Sequence, residues 1–367
     1  MKKFGFGLMR LPLLNREDQT SIDIAHVTKM ADKFLKAGFT YFDTAACYHN
    51  GASETAFREA VAKRYPREAY SITDKLSLWM VGDGKFEEFF VAQLERLGVD
   101  YLDYYLLHAV NKNGYKEAVE KGAIEFMKKL KAEGRVKHIG FSFHDSAAVL
   151  DDILSKEPEM EIVQLQLNYL DWEDNGVQSR LCYEVCQKYN KPVLVMEPVK
   201  GGSLANVRGE IRRMFKTADE NMSIASWAIR FAASLESVVT VLSGMSNEDQ
   251  VNDNLSYMAN FVPLTDDETK MVMKAADMIR ADVLIPCTAC RYCVPECPMG
   301  IEIPGYFKAY NMIKTDGRDK ATEEFKSIAE RGSKPSDCVK CGACEAVCPQ
   351  KILIRDFLCD ITEELDR

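Results

Sequence analysis

Four cysteines late in the chain are repeated in identical spacing 51 positions further on. The first run is Cys287-x2-Cys290-x2-Cys293-x3-Cys297-Pro298, and the second is Cys338-x2-Cys341-x2-Cys344-x3-Cys348-Pro349. Three thiolates at this spacing on a tight loop grip three irons of one cubane. The fourth opens an element that points elsewhere and ligates the other cluster. The expected ligand sets of two [4Fe–4S] clusters therefore cross: Cys287, Cys290, Cys293 and Cys348 for cluster 1, and Cys338, Cys341, Cys344 and Cys297 for cluster 2. The proline after each fourth cysteine removes a backbone donor and fixes the exit of the chain. Zinc is the competing reading. It usually takes two cysteine pairs and gives no reason for eight cysteines in this register.

The remaining cysteines are sparse. Of 12 in the chain, 9 lie after residue 286. Cys182, Cys186 and Cys359 read as buried apolar fillers, and Cys47 lies in a loop beside candidate chemistry. The opening Met1-Lys2-Lys3 resembles the start of an export signal, but Gly5, Gly7, Arg10 and Pro12 interrupt the apolar core such a signal requires. A cytoplasmic protein is expected, in a compartment that keeps thiols reduced.

The 367 residues suggest more than one domain. Net charge is −9, with no basic stripe of the kind nucleic acid attracts. No apolar run approaches the roughly 18 residues that a membrane span needs. Up to about residue 262, β-rich runs alternate with amphipathic helical stretches. Strands are expected at 4–9, 39–43, 70–75, 103–109, 137–142, 162–168, 193–198 and 238–243. Eight such units fit a (β/α)8 barrel or an open doubly wound sheet. Arg10-Leu11-Pro12 follows the first strand where a dinucleotide-binding turn would carry G-x-G-x-x-G, which favours the barrel. The expected organisation is a barrel over 1–265, a helical linker over 266–285, and a small, mainly α-helical two-cluster domain over 286–367.

Three segments carry candidate chemistry: Asp43-Thr44-Ala45-Ala46-Cys47-Tyr48, Thr73-Asp74-Lys75 and Tyr105-Leu106-Leu107-His108. Each alone is weak, since strand-end lysines and histidines are usually structural. Together they fall at or just after the C-terminal ends of the second, third and fourth strands, the face on which barrels build active sites.

Asp-x4-Tyr after strand two, Lys closing strand three and His closing strand four resemble the tetrad of the aldo-keto reductase family. The resemblance extends from residue 4 to about Asn254 and includes Ile139-Gly140-Phe141-Ser142, Gln164 with Asn168, the Pro198 loop and Ser243-Gly244. The segment after residue 286 is similar to two-cluster ferredoxins, more to the helical modules of oxidoreductases than to the small β-containing proteins. The family likeness implies Tyr48 as general acid to a carbonyl oxygen, Lys75 lowering its pKa, Asp43 holding Lys75, and His108 orienting the substrate. It implies a nicotinamide, NAD(P)H, with its carboxamide near Ser142, Gln164 and Asn168. Met196, Gly244 and Asn254 stand at further cofactor positions. Met196 replaces a stacking aromatic, while Gly244 and Gln250 replace the cations that hold the 2′-phosphate of NADP. Trp79 and Trp172 are candidate pocket walls.

Nicotinamides pass electron pairs and clusters pass single electrons, so flavin is a conceivable intermediary although no flavin motif is visible. Three functions follow. The first is a reductase of a small carbonyl, or the reverse alcohol oxidation. The second is a reductase driven by a ferredoxin-type redox partner. The third is a non-enzymatic electron carrier.

Overall fold

The computed structural model describes residues 2–82 and 84–366. Eight parallel strands close into a barrel in chain order: β1 Phe4–Gly7, β2 Tyr41–Asp43, β3 Ser71–Leu76, β4 Leu102–Val110, β5 Val136–Phe143, β6 Ile162–Gln166, β7 Val193–Met196 and β8 Val238–Gly244, with β8 pairing back on β1. Helices follow the strands, as in a (β/α)8 fold. Every expected strand is present, but three end early. After Gly7 the chain enters a 3₁₀ turn over Leu8–Arg10. β6 stops at Gln166, and β7 stops at Met196 because Glu197 takes a left-handed conformation before Pro198.

Alternation along the strands divides the barrel into two cores. Outward residues such as Phe4, Phe6, Ile72, Leu107 and Val163 join the helices in one large apolar cluster. Inward residues Tyr41, Leu106, Ile162, Leu194 and Leu242 form a compact internal layer. The interior is so tight that a β-carbon on Gly140 would sit 2.0 Å from the Ile162 carbonyl oxygen, so only glycine fits there.

The stretch expected as a linker is helical over Asp266–Asp282, opened by a Thr265–Glu268 capping box. It packs on the barrel, burying Val272, Ala275 and Ala276 in the large cluster. Beyond it the chain is helical over Ile303–Thr315, Arg318–Ala329 and Ile354–Leu365, around a second core of Ile301, Tyr306, Phe307, Phe325, Leu358 and Ile361. Cys182 and Cys186 are buried as expected, whereas Cys359 is exposed: it lies on the solvent face of the last helix. No helix among the described residues is long and apolar enough to cross a membrane.

Candidate functional site

The period of two that builds the inner layer also builds the site above it. Asp43 stands two residues past Tyr41, Lys75 two past Thr73, His108 two past Leu106, and Ser142 two past Gly140. Gln164, Met196 and Gly244 stand two past Ile162, Leu194 and Leu242. Each therefore faces inward, one step nearer the C-terminal mouth.

Lys75 is fully buried, and its Nζ donates to Asp43 Oδ1 at 2.6 Å and to the Thr44 carbonyl at 2.7 Å. Tyr48 comes from the loop after β2 and lays its ring under that ammonium, 4.8 Å from Nζ to the ring centre. The His108 ring meets Tyr48 edge-on at 5.9 Å and lies 5.0 Å from Trp79. Its Nδ1 is 2.7 Å from Ser77 Oγ and 3.9 Å from Cys47 Sγ. The four tetrad positions are thus brought together at one end of the barrel.

Electrostatics differ from the expectation in one respect. Burial, then the nearby Asp43, raises the Tyr48 phenol well above its ordinary value. Lys75 is shared with Asp43 and Thr44, and burial outweighs its pull on the phenol. Tyr48 stays protonated. Burial, aided by Lys75, holds His108 well below the usual histidine range, so its imidazole is neutral.

The remaining expected residues divide. Ser142 Oγ accepts from the Ala109 amide at 2.8 Å, leaving its own hydrogen to give. Gln164 Nε2 donates to Asp43 Oδ2 at 3.0 Å, leaving its carbonyl oxygen to accept. Asn168 is committed on both ends: it donates to Asp171 and the Glu197 carbonyl, and accepts from the Leu170 and Asp171 amides. Asn254 is likewise turned inward, bonded to Ser243 Oγ and Tyr257. Met196 is half-buried at the end of β7. Gly244 is covered by the Arg10 side chain, 3.3 Å from where a β-carbon would be. Trp79 is 60% exposed beside His108, whereas Trp172 packs on Tyr183 and Phe231 in the outer core.

Several features escaped the sequence reading. Arg10 Nη2 and Glu197 Oε1 approach across the mouth at 3.8 Å, an ion pair too long for a hydrogen bond, and buried Arg10 Nη2 and Glu197 Oε2 have no hydrogen-bond partner. The cysteine-rich domain covers this region. Thr288, Tyr292 and Gln350 come down onto the barrel, with the Tyr292 hydroxyl 3.9 Å from Met9 Sδ and Gln350 bonded to Gln166 at 2.9 Å. Tyr292 is 39% exposed, but desolvation against the barrel still pushes its phenol up, and the Glu197 carboxylate acts in the same sense. Tyr292 is the spacer between Cys290 and Cys293, so nothing in the motif marks it. The left-handed Glu197 had only its place beside Met196 to signal it.

The cysteines group in the crossed pattern. Burial pushes the Cys293 thiol up to about 12, with further contributions from Cys290, Cys287 and Cys348. Cys297, Cys338, Cys341 and Cys344 line one cavity with Pro298, Met299 and Leu358. Among the described residues no three metal-binding side chains converge on a point fit for a single ion. Four thiols gathered in each set match in number and residue type what a [4Fe–4S] cluster takes.

Residues 3–277 match the Aldo/keto reductase family and residues 286–353 match a 4Fe-4S dicluster domain. Among curated relatives, the "NADH-specific methylglyoxal reductase" of Escherichia coli (strain K12) is 23% identical over 284 residues, covering 66% of this chain and 85% of its own. An "Aldo-keto reductase" of Mycolicibacterium paratuberculosis (strain ATCC BAA-968 / K-10) is 28% identical, covering 69% of this chain and 80% of its own. An aldo-keto reductase from Klebsiella pneumoniae, solved in complex with NADPH, superposes with a TM-score of 0.59 at 19% identity, over 74% of this chain and 90% of its own. With the family match spanning most of the chain and the barrel closed in the same order, this chain belongs to the aldo/keto reductase family and is an oxidoreductase that carries a C-terminal 4Fe-4S dicluster domain.

Proposed function

We propose that the barrel reduces the carbonyl of a small molecule with Tyr48 as the proton donor. The observation that carries this reading is the Asp43–Lys75–Tyr48–His108 assembly on the inward face at the barrel mouth. A protonated phenol is the form a general acid must have at the start of reduction. Lys75, held by Asp43, stabilises the charge left on Tyr48 once the proton is given. His108 is neutral, and the tautomer that accepts from Ser77 at Nδ1 carries its proton on Nε2, where it bonds the substrate oxygen and orients it.

The residues fit a nicotinamide in part. The Ser142 hydroxyl and the Gln164 carbonyl oxygen form a donor–acceptor pair that suits a carboxamide, and Arg10 supplies a cation paired only loosely, at 3.8 Å, with Glu197. Bound there, the nucleotide would supply a hydride. Asn168 and Asn254 stay with the scaffold. Gly244 and Gln250 carry no charge at the positions where the family's cations hold the 2′-phosphate, which favours NADH. The cysteine sets would hold the two clusters, which supply single electrons or a rigid staple for the covering domain. Because that domain roofs the mouth, the substrate is expected to be small. The test is an anaerobic assay of iron-loaded protein with NADH or NADPH and methylglyoxal or another short aldehyde. Carbonyl-dependent oxidation of nucleotide is expected. None with either nucleotide would end the proposal.

One observation favours a second reading: the Cys290–Cys293 loop reaches the mouth beside Tyr48 and Glu197. On that reading the reductant is a ferredoxin-type protein. It gains ground only where reduced ferredoxin supports carbonyl reduction with nucleotide left out.

A further inference from the structure

Directly after β7 the backbone makes two left-handed turns at residues that carry side chains, Glu197 (φ 56°) and Lys200 (φ 45°), a geometry uncommon outside glycine. Gly201 follows at φ 64°, where the Thr288 carbonyl oxygen lies 2.6 Å from the place of a β-carbon. The loop is thus pressed against the segment carrying Cys287 and Cys290. It turns Lys200 inward, to 4% exposure, with Nζ 2.5 Å from Asp171 Oδ1 and 2.9 Å from Gln350 Oε1. Gln350 is the second residue after Cys348. Asp171 Oδ2 is occupied by the Gln166 and Asn168 amides. A buried ammonium is therefore fixed between the barrel and the first cysteine set, with one carboxylate beside it.

The charge stands next to that set: Gln350, which Lys200 Nζ bonds, lies two residues past Cys348, and Gly201, the next residue, is pressed on Thr288 beside Cys287. The second set has a cation of its own, since Arg355 lines the cavity of Cys297, Cys338, Cys341 and Cys344, but that guanidinium is half-exposed and paired to Glu345. The two cations differ in burial: Lys200 is shut away from water and Arg355 is not.

We propose that Lys200 is an electrostatic positioning residue for the cluster held by Cys287, Cys290, Cys293 and Cys348, raising its reduction potential through a buried charge that Asp171 and Gln350 hold in place. Reduction adds one electron, and one negative charge, to the cluster. A fixed cation nearby stabilises that product, most strongly where water is excluded. Electrons arriving from any one-electron donor are thereby drawn to the cluster beside the barrel mouth. The proposal rests on the cluster assignment given above.

The test is an EPR-monitored redox titration of the anaerobically reconstituted full chain, with dithionite as reductant. In Lys200→Met one of the two midpoints is expected to move negative by on the order of tenfold in the reduction equilibrium, about 59 mV for a one-electron couple. Asp171→Asn removes the opposing charge and is expected to move the same midpoint positive. Lys200→Arg is expected to keep it. Loss of packing would move both variants alike, so the opposite signs isolate the charge. Midpoints that stay in place, that shift together, or that shift in one direction in both variants overturn the proposal. Iron and sulfide analysis keeps the two failures apart: incomplete clusters in the unaltered protein would defeat the assignment itself, whereas full clusters with unmoved midpoints defeat Lys200 alone.

Discussion

The barrel and the cysteine-rich domain hold themselves together in different ways. The barrel buries aromatic and aliphatic residues from all its strands and surrounding helices, with an inner layer as well. Its site is a by-product of that architecture, since the strand alternation that fills the inner layer also aims Asp43, Lys75 and His108 at the mouth. The second domain has a core of sixteen buried residues, two of them cysteines. So small a core gives little stability alone, and inorganic crosslinks would supply the remainder. Function in the barrel is written in placement across the whole fold. In the other domain it is written in spacing along a few residues.

Removing the iron should break the comparison most visibly. Chelation under reducing conditions is expected to abolish the cooperative unfolding of 286–366 while the barrel transition persists, seen by calorimetry. A single transition that survives chelation unchanged would mean the second domain needs no metal. Next in size is Lys75→Met, which strands Asp43 without its buried partner. A barrel destabilised by about 3–5 kcal/mol in denaturant unfolding is expected, with the cluster domain untouched. Gln350→Ala acts on the seam between the two regions. It removes bonds to Lys200 and Gln166 and should cost about 1–3 kcal/mol, separating the two transitions rather than lowering both.

The smallest expected effect is a pH slope. Burial lowers His144 to about 4, and His108 is also held low. Both stay neutral in the folded barrel, while the unfolded chain takes up protons below about pH 6.5. Their share of stability is therefore intact above that pH and eroded as pH falls from about 6.5 toward about 4. Thermal melts across that window should show a shallower slope for His144→Gln. An unchanged slope would mean His144 is protonated in the folded state.

Much of this was legible in the residues. The cysteine register fixed the crossed cages, and β-rich runs at regular intervals fixed the eight strands. Tyr48, Lys75, Asp43 and His108 were legible because strand ends of a barrel share one face. What stayed hidden depends on three-dimensional neighbours. Lys75 was expected to lower the Tyr48 phenol, but burial and Asp43 outweigh it in the folded barrel, a balance set by neighbours and not by the motif. Asn168 looked like a cofactor contact until Asp171, three residues on, claimed its amide. β7 was expected to run to residue 198; it stops at Met196, where Glu197 turns left-handed before Pro198 and the following Gly201 packs against Thr288 of the other domain.

The most direct test of the central claim is single-turnover carbonyl reduction by iron-loaded Tyr48→Phe under anaerobic conditions, alongside the unaltered protein. The account predicts a loss of about 10²–10⁴-fold in the chemical step, with nucleotide affinity and iron content unchanged. Reduction at the unaltered rate would contradict it, because the proton would then come from a group other than Tyr48.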